Sequence, residues 1–385
     1  MHVCHIITRL IVGGAQENTL LTCEGLRQRG YDVTLLSGPT TGPEGSLVDR
    51  ARGGGYEVLE IPELVRAVNP WLDARARREM AYHLDRLKPD IVHTHSSKAG
   101  ILGRLAACDA RVRRIVHTIH GMSFNRTQPW LLRKAYAWVE RRAARRTDAI
   151  VAVADAMIDQ SVAARIAPRA RFHTVYSGME VERFDPEGID RAAVRRAWGF
   201  GEEHIVVGAV ARLFRRKGYE QLLPIMARVA RRDPRLRFVW VGDGAQRGEY
   251  ERELVRLGLA EKTRLTGLVP PEAVAEQLGG MDLLAHTSQW EGLPRVAVQA
   301  LLMRTPVVAF AIDGTPEVVE DGVTGRLVVL NDLDAFAAAL LELAGDADLR
   351  ARMGSVGRER CRRMFDWRRM VAQLDELYQQ LMRRG

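Results

Sequence analysis

Short runs of β-branched and other apolar residues alternate along the chain with longer segments whose apolar residues recur at helical spacing. In the first half the strand-like runs are 3–7, 32–37, 57–61, 91–95, 115–120, 149–154 and 172–176. Between them, segment 15–29 is ended by Gly30, and segment 73–87 places Met80, Leu84 and Leu87 on one helical face. Strands that alternate with helices predict an α/β fold, in which helices cover parallel sheets.

The alternation restarts after a turn-rich stretch at 177–186 that is suited to a linker. Strand-like runs follow at 205–211, 238–241, 264–266, 282–286, 307–310 and 326–329. Two doubly wound, Rossmann-like domains facing each other across a cleft are the simplest arrangement, and such domains bind ligands at the carboxyl ends of their strands. We predict an N-terminal domain at 1–183, a second domain at 184–365 and a final helix within 366–385.

Length and composition agree with two soluble domains. The chain has 385 residues, 46% of them hydrophobic and 27% charged. No apolar run approaches the ~20 residues that span a bilayer, and the N-terminus lacks the features of a secretory signal. Four widely spaced cysteines without a CxxC pair predict a reduced, cytosolic protein and speak against a zinc site.

The net charge of +9 is unevenly distributed. Residues 1–183 contain 27 Lys and Arg against 19 Asp and Glu, whereas residues 184–385 contain 30 against 29. A basic first half suits an anionic membrane surface or a phosphate-bearing acceptor. Nucleic acid is the usual competing interpretation, but the sequence has no nucleic-acid-binding motif and no basic low-complexity tail.

The most specific motif lies at 286–301, between the strand-like run 282–286 and a helix-like run. It contains Glu291-Gly292-Leu293-Pro294 and, eight positions after the glutamate, Gln299. This layout resembles the donor site of the retaining, GT-B-fold glycosyltransferases of the large family 4, in which a second glutamate stands where this chain has Gln299. The resemblance covers nearly the whole chain, and it implies that the final helix crosses back to the first domain.

The resemblance assigns donor-sugar binding to Glu291 and to the N–H groups of Gly292 and Leu293. It places Gln299 at the nucleotide ribose, where an amide has a single accepting oxygen and a carboxylate has two. Two other protein classes compete with a transferase. One is a non-catalytic carbohydrate- or lipid-binding protein on a decayed transferase scaffold, which Gln299 favours. The other is a sugar-nucleotide epimerase, which the Glu291 loop opposes.

Two further segments are candidates for binding the donor diphosphate. Gly13 and Gly14 precede the first helix, whose N-terminus favours anions, although a plain tight turn would have the same sequence. Arg212 and Lys217 follow a strand and could neutralise a leaving diphosphate. The family has an Arg and a Lys at this spacing, so the role is carried over to these two residues. The neighbouring Arg215 and Arg216 are interpreted as solvated.

The run Val241-Gly242-Asp243-Gly244 is similar to the family's nucleotide-side loop, and so Gly242 and Asp243 are candidate nucleotide contacts. The carboxylate of Asp243 could instead cap the following helix. The spacing of the glycines does not match a dinucleotide fingerprint.

Histidines cluster near the ends of two strands, at 93, 95, 117 and 120. A metal site would require these strands to be neighbours and has no carboxylate or cysteine companion, so we predict no metal. His93 and His117 are interpreted as packing residues. The pair His120-Gly121 matches the family's loop near the reacting carbon, which makes His120 the strongest candidate of the first domain. Ser97 and Lys98 are weaker candidates for acceptor contacts.

Three other motifs are less informative. The D-x-D pairs at Asp332 and Asp346 are interpreted as helix caps, and the sequon at 125–127 has no secretory context. The segment 130–146 is basic and amphipathic and contains two Trp. It fits either an interfacial membrane helix or a helix with one buried and one solvated face.

Taken with the resemblance, these motifs imply a retaining, metal-independent glycosyltransferase without a cofactor. Its donor would be a nucleotide-sugar, UDP- or GDP-linked, and its acceptor a saccharide or lipid-linked saccharide in cell-surface glycan synthesis. We expect a cytoplasmic protein that associates peripherally with the inner membrane face and does not bind nucleic acid.

Overall fold

The computed structural model describes residues 1–41, 45–124 and 128–383. The sequon at 125–127 lies outside this part of the chain. The fold consists of two compact units, Met1–Met179 with Asp366–Gly385 and Glu180–Phe365. The sequence-based boundary at 183/184 lies a few residues beyond the end of the first segment.

The first unit is built on a seven-stranded parallel sheet. Its strands are β1 (His2–Ile7), β2 (Asp32–Ser37), β3 (Glu57–Glu60), β4 (Ile91–His95), β5 (Arg114–Ile119), β6 (Ala149–Ala152) and β7 (Phe172–Thr174). They lie in the order β3-β2-β1-β4-β5-β6-β7. The longer helices are α1 (Gly14–Gln28), α2 (Val48–Gly53), α3 (Pro70–Leu87), α4 (Ser97–Asp109), α5 (Trp130–Ala144) and α6 (Asp155–Ala163).

The second unit has a six-stranded parallel sheet. Its strands are β8 (Ile205–Val210), β9 (Leu236–Val241), β10 (Thr263–Gly267), β11 (Leu283–His286), β12 (Val307–Phe310) and β13 (Gly325–Val328), in the order β10-β9-β8-β11-β12-β13. Its helices are α7 (Arg191–Trp198), α8 (Tyr219–Arg232), α9 (Arg247–Arg256), α10 (Val274–Gly279), α11 (Arg295–Leu302), α12 (Thr315–Val318), α13 (Leu333–Gly345) and α14 (Ala347–Met364). Both sheets are doubly wound, as predicted.

The last helix, α15 (Trp367–Arg383), belongs to the first unit. Its apolar stripe packs with α1 and with β1 and β2 in one continuous core, and the buried residues of this stripe are Met370, Val371, Leu374, Leu377, Tyr378 and Leu381. The other face of the same sheet is covered by α3 and α4. The expected return of the C-terminal helix to the first domain is therefore observed.

Every predicted strand is present, with ends that differ by at most two residues. Helix α3 begins three residues earlier than predicted because Asn69 caps it, with Oδ1 accepting from the backbone N–H groups of Trp71 at 3.1 Å and Leu72 at 3.3 Å. Asp332 and Asp346 cap α13 and α14 in the same way, which confirms their interpretation as caps. No helix in the described residues is long and apolar enough to cross a membrane.

The strand order of each sheet reverses at one point, between β1 and β4 in the first unit and between β8 and β11 in the second. At such a point the loops on either side leave in opposite directions and open a crevice at the carboxyl edge of the sheet. These two edges carry the candidate site residues.

Candidate active site

In the second unit, Lys217 and Glu291 meet at the carboxyl edge of β8 and β11. Lys217 Nζ donates to Glu291 Oε1 at 2.8 Å, and His286 Nε2 lies 3.7 Å from the same oxygen. The Glu291 side chain is only 15% exposed. The arrangement brings together one cation and one carboxylate that the sequence placed 74 residues apart.

Glu291 is ionised in this environment. Burial by itself raises the pKa of its carboxyl group, but the charge of Lys217, the nearby His286 and hydrogen bonds from Lys217 and Ser288 together lower that pKa below its usual value. Burial lowers the pKa of His286, which is therefore neutral. The site thus holds a fixed negative charge beside a fixed positive charge.

Two hydrogen bonds fix the backbone of the Glu291 loop. The backbone N–H of Glu291 donates to Asp313 Oδ2 at 2.9 Å, and the N–H of Gly314 donates to the Gly292 carbonyl at 3.1 Å. Asp313, which follows β12, has a φ of 45°. Asp313 is not among the site residues predicted from the sequence. Its position after the strand next to β11 is the signal that could have identified it.

The Lys217 loop is fixed to the β11 loop at Gly218. This glycine has a φ of 85°, and a Cβ atom there would lie 1.8 Å from the Thr287 carbonyl oxygen, so no other residue fits. Thr287 Oγ1 donates to the Gly218 carbonyl at 2.8 Å. The close contact between the two loops places the Lys217 ammonium group against Glu291.

Arg212 lies at the start of the same loop and is exposed, with its guanidinium 5.2 Å from the centre of the Phe214 ring. Arg215 is also exposed and pairs with Glu249 at 3.0 Å. Arg216 is exposed as well. Both arginines are exposed, which agrees with their interpretation as solvated residues. Lys217 of the same loop is half-buried and contacts Glu291.

The loop after β9 passes close to the Arg212 loop. A Cβ atom on Gly242, whose φ is 131°, would lie 2.2 Å from the Ala211 carbonyl oxygen. Asp243 accepts from Gly244 N–H at 2.7 Å and from Arg247 at 2.9 Å. Helix α9 begins only at Arg247. The alternative that Asp243 caps this helix is wrong, because its carboxylate bonds its own loop and the first helical side chain.

Gln299 lies half-buried on α11. Within the described part of the chain its side-chain amide takes part in no hydrogen bond. Its backbone carbonyl accepts from Met303 N–H at 3.1 Å, as expected at the end of the helix. No hydrogen bond among the described residues therefore requires an amide at this position.

In the first unit, the loops after β1 and β4 meet at the corresponding edge. Thr8 Oγ1 and Ser96 Oγ hydrogen-bond at 2.7 Å, and Ser97 begins α4. Lys98 forms an ion pair with Asp73 at 2.5 Å, which occupies its ammonium group. Helix α1 begins at Gly14, after Gly13 in extended conformation.

The histidines at this edge lie on or just after three neighbouring strands, β1, β4 and β5. His5 of β1 belongs to the cluster in addition to the histidines at 93, 95, 117 and 120 that the sequence indicates. His5 is in register with His93, and alternate residues of a strand face the same side, so His95 lies on that face too. His95 connects the two ends of a chain: its Nε2 is 3.0 Å from His5 Nδ1 and its Nδ1 is 3.0 Å from His120 Nε2. His117 lies on the opposite face, bonded to Thr94 at 2.9 Å.

Ring nitrogens of His5, His93 and His95 lie within 4.8 Å of one another, which is close enough for three ligands of one metal ion. Both nitrogens of His93 are engaged, Nδ1 with the Tyr378 hydroxyl at 2.5 Å and Nε2 with Thr118 Oγ1 at 2.6 Å. Both nitrogens of His95 are engaged as well. The cluster is a hydrogen-bonded network, and a metal ligand set would have to break it.

Comparisons with known proteins agree with this geometry. Residues 12–183 match the model of Glycosyltransferase Family 4, and residues 190–360 match that of Glycosyl transferases group 1. The D-inositol 3-phosphate glycosyltransferase of Kribbella flavida is 31% identical over 345 residues, which cover 84% of this chain and 78% of that protein. The chain is a GT-B glycosyltransferase of the family 4 type.

This glycosyltransferase is also similar to a second curated relative and to a solved structure. The UDP-Gal:alpha-D-GlcNAc-diphosphoundecaprenol alpha-1,3-galactosyltransferase of Escherichia coli is 27% identical over 350 residues, covering 89% of this chain and 88% of that one. Anabaena HepE, solved in complex with UDP-glucose, has a TM-score of 0.84 at 22% identity and covers 99% of this chain, a likeness in fold. The match extends over both units.

The residues singled out from the sequence of this glycosyltransferase therefore lie in two groups. The second unit holds Lys217 and Glu291 in contact, with the loops of Arg212 and Gly242 next to each other. The first unit holds His120 at the end of the histidine chain, and at the same sheet edge the loops of Gly14 and Ser97.

Proposed function

We propose that the glycosyltransferase moves a sugar from a nucleotide-sugar to a saccharide or lipid-linked saccharide with retention of the anomeric configuration. The observation that carries the proposal is the contact between Lys217 and Glu291 at the point where the strand order of the second sheet reverses. A buried carboxylate kept ionised by a lysine suits a ligand that presents both hydroxyl groups and phosphate.

In the proposed step the bond between the anomeric carbon and the diphosphate oxygen breaks, and its electron pair stays on the diphosphate. Lys217 and Arg212 stabilise the growing negative charge, since charge-assisted contacts are strongest where charge develops. Gly13 and Gly14, at the N-terminus of α1, are further candidates for binding phosphate, since helix N-termini favour anions. Glu291, with the N–H groups of Gly292 and Leu293, binds the sugar hydroxyls.

The acceptor oxygen then bonds to the same face of the anomeric carbon from which the diphosphate leaves, and its proton passes to the departing phosphate oxygen. No protein nucleophile is assigned in this step. His120 is assigned to the donor sugar beside the reacting carbon, and Gly242, Asp243 and Gln299 to the nucleotide. Ser97 is a weaker candidate for the acceptor, and Lys98 weaker still because Asp73 holds it.

The donor is proposed to be a UDP- or GDP-sugar. The E. coli relative is named for a UDP-linked galactose, which makes UDP-sugars the first to test. The decisive experiment is a mass-spectrometric screen of nucleotide-sugars for release of nucleoside diphosphate, with and without EDTA and with added Mg²⁺. Turnover of one donor that persists in EDTA supports the proposal, and its loss in EDTA with recovery in Mg²⁺ contradicts the metal-independent step.

A second candidate function is that of a carbohydrate-binding protein without turnover, and Gln299 is the observation that favours it. In the same screen this alternative predicts thermal stabilisation by a nucleotide-sugar with no release of nucleoside diphosphate.

The acceptor is proposed to be lipid-linked, and the exposed face of α5 supports this. Trp130 and Trp138 are 58% and 59% exposed, so burial in the core does not account for either side chain. Lys134 lies between them at four-residue spacing, with its ammonium group 4.3 Å from the centre of the Trp130 ring. Exposed Trp alternating with cations is the composition of helices that lie in a membrane interface.

A further inference from the structure

His286 is a buried histidine at the end of β11, and one of its ring nitrogens faces the carboxylate of Glu291. Nε2 lies 3.7 Å from Glu291 Oε1, which is beyond hydrogen-bond distance, and it has no hydrogen-bond partner among the described residues. Buried polar groups are normally hydrogen-bonded. A basic nitrogen left without a partner beside a buried carboxylate is therefore a candidate for a role in the site.

Lys217 occupies the oxygen that His286 faces. Its ammonium group donates to the same Oε1 at 2.8 Å, so the carboxylate already has one positive partner. Burial is the main cause that lowers the pKa of His286, the negative charge of Glu291 opposes this effect, and the positive charge of Lys217 adds to it. The lysine thus helps to keep His286 neutral.

A phosphate group bound at Lys217 changes this balance in one direction. The Lys217 side chain is 32% exposed, so an anion can reach it. The anion offsets the lysine charge that acts on His286 and adds a negative charge of its own, and both changes favour the protonated imidazole. A protonated imidazole has an N–H group at each ring nitrogen, so its Nε2 can donate to Glu291.

We propose that His286 is a positioning residue for Glu291 that takes up a proton from the solvent when a phosphate group of the donor engages Lys217. Protonated His286 then holds the Glu291 carboxylate in place of the lysine, so that Glu291 keeps its charge while Lys217 binds the diphosphate. Donor binding is thereby coupled to proton uptake. This coupling rests on the proposed function, whereas the response of His286 to the lysine charge is a property of the free protein.

The response to charge is measured first, without ligand, by NMR titration of the histidine ring signals. His286→Gln identifies the His286 signals by their loss. Lys217→Met removes the ammonium group but keeps the apolar stem, and it should raise the pKa of His286. Glu291→Gln should lower this pKa. Arg215→Ala removes an exposed cation of the lysine loop and should leave the pKa of His286 unchanged.

An unchanged pKa of His286 in a folded Lys217→Met protein overturns the proposal. If that variant does not fold, Lys217→Gln makes the same test, because an amide also lacks the positive charge.

Proton uptake on binding is measured by isothermal titration calorimetry with UDP and with GDP, each in two buffers of different ionisation enthalpy. The parent protein should take up more protons per bound nucleotide than His286→Gln, whose amide keeps a polar group in the side chain but does not titrate. The comparison of the two proteins cancels the proton that the nucleotide phosphate itself exchanges. Equal proton uptake in both proteins contradicts the coupling.

The coupling also fixes the sign of a pH dependence. A group whose pKa rises on binding makes binding tighter as the pH falls, so acidification should favour nucleotide binding more in the parent protein than in His286→Gln. The difference is at most about tenfold in Kd per pH unit, the limit for one proton. If neither UDP nor GDP binds the parent protein, the proposed function fails, and the Lys217→Met titration still decides whether His286 responds to the lysine charge.

Discussion

Lys217 Nζ and Glu291 Oε1 lie 2.8 Å apart, although each belongs to a loop that follows a different strand of the second sheet. The reversal of strand order places the two strands side by side, and Gly218 lets the lysine loop touch the β11 loop. This one contact joins the phosphate-binding and sugar-binding parts of the proposed site.

The first prediction concerns the charge of Glu291. Glu291→Gln should lower kcat about a hundredfold or more, because a preorganised charged group near the reacting centre contributes this much, while the fold persists. Turnover and circular dichroism are measured together. Glu249→Gln, which removes an exposed carboxylate paired with Arg215, is the matched control and should be silent. Near-normal turnover in a folded Glu291→Gln protein removes this residue from the site.

The second prediction concerns diphosphate binding. Lys217→Ala and Arg212→Ala should each weaken binding of the nucleoside diphosphate by ~1.5–3 kcal/mol, the strength of a hydrogen bond to a charged group, which is about 10- to 150-fold in Kd. Isothermal titration calorimetry measures the effect. Arg215→Ala serves as the control, since Arg215 is an exposed cation of the same loop. Binding as tight as that of the parent contradicts the assignment of whichever residue was replaced.

The third prediction concerns Gln299. Gln299→Glu should tighten nucleotide binding by about 1 kcal/mol, the net value of an added hydrogen bond, because a carboxylate can accept from two ribose hydroxyls. The comparison of UDP with 2′-deoxy-UDP checks the cause, and the gain should be smaller for the deoxy compound. An equal gain for both nucleotides would mean that Gln299 does not contact the 2′-hydroxyl.

The fourth prediction concerns the exposed face of α5. The protein should sediment with anionic vesicles at low salt and be released at high salt, since each Lys or Arg near such a surface contributes ~1 kcal/mol that salt screens. Trp138→Ala should weaken this binding. Val255→Ala is the control: it shortens an exposed apolar residue of the second unit and should leave vesicle binding unchanged. Negligible binding in every condition makes a soluble acceptor the better hypothesis.

The fifth prediction concerns pH. The folded-state pKa of His5 is lowered to about 3 by burial, from a usual value of 6.5. Below pH 6.5 the His5 side chain therefore binds a proton in the unfolded chain but stays neutral in the folded chain. Its contribution to the free energy of unfolding is fully present above pH 6.5 and is lost as the pH falls toward 3. At about 1.4 kcal/mol per pH unit, His5 alone accounts for up to ~2 kcal/mol between pH 6.5 and 5.

Urea unfolding of the parent protein and of His5→Leu at pH 7 and pH 5 measures this effect. The buried His93, His95 and His117 also have lowered pKa values and contribute in the same direction. The variant should therefore lose less stability than the parent on acidification. An identical loss in the two proteins would show that His5 is not the buried neutral ring described above.

The sequence by itself determined the strands, the two domains and the family. Apolar periodicity is a local property of the chain, and it placed every strand to within two residues. The residues at 286–301 and the His120-Gly121 pair could be compared with the family because each is a short contiguous stretch of sequence. Asp332 and Asp346 were predicted as caps because a helix start depends on neighbours three residues away.

Only the tertiary structure decided which side chains meet. The contact of Lys217 with Glu291 and the bond of Asp313 to the Glu291 loop depend on strand order, which periodicity does not encode. The chain from His5 to His120 spans three strands that are distant in sequence. The exposure of Trp138 depends on which face of α5 packs against the domain, and both faces contain apolar residues. Contacts between distant segments are selected by the packing of the whole sheet, so local sequence patterns alone could not identify them.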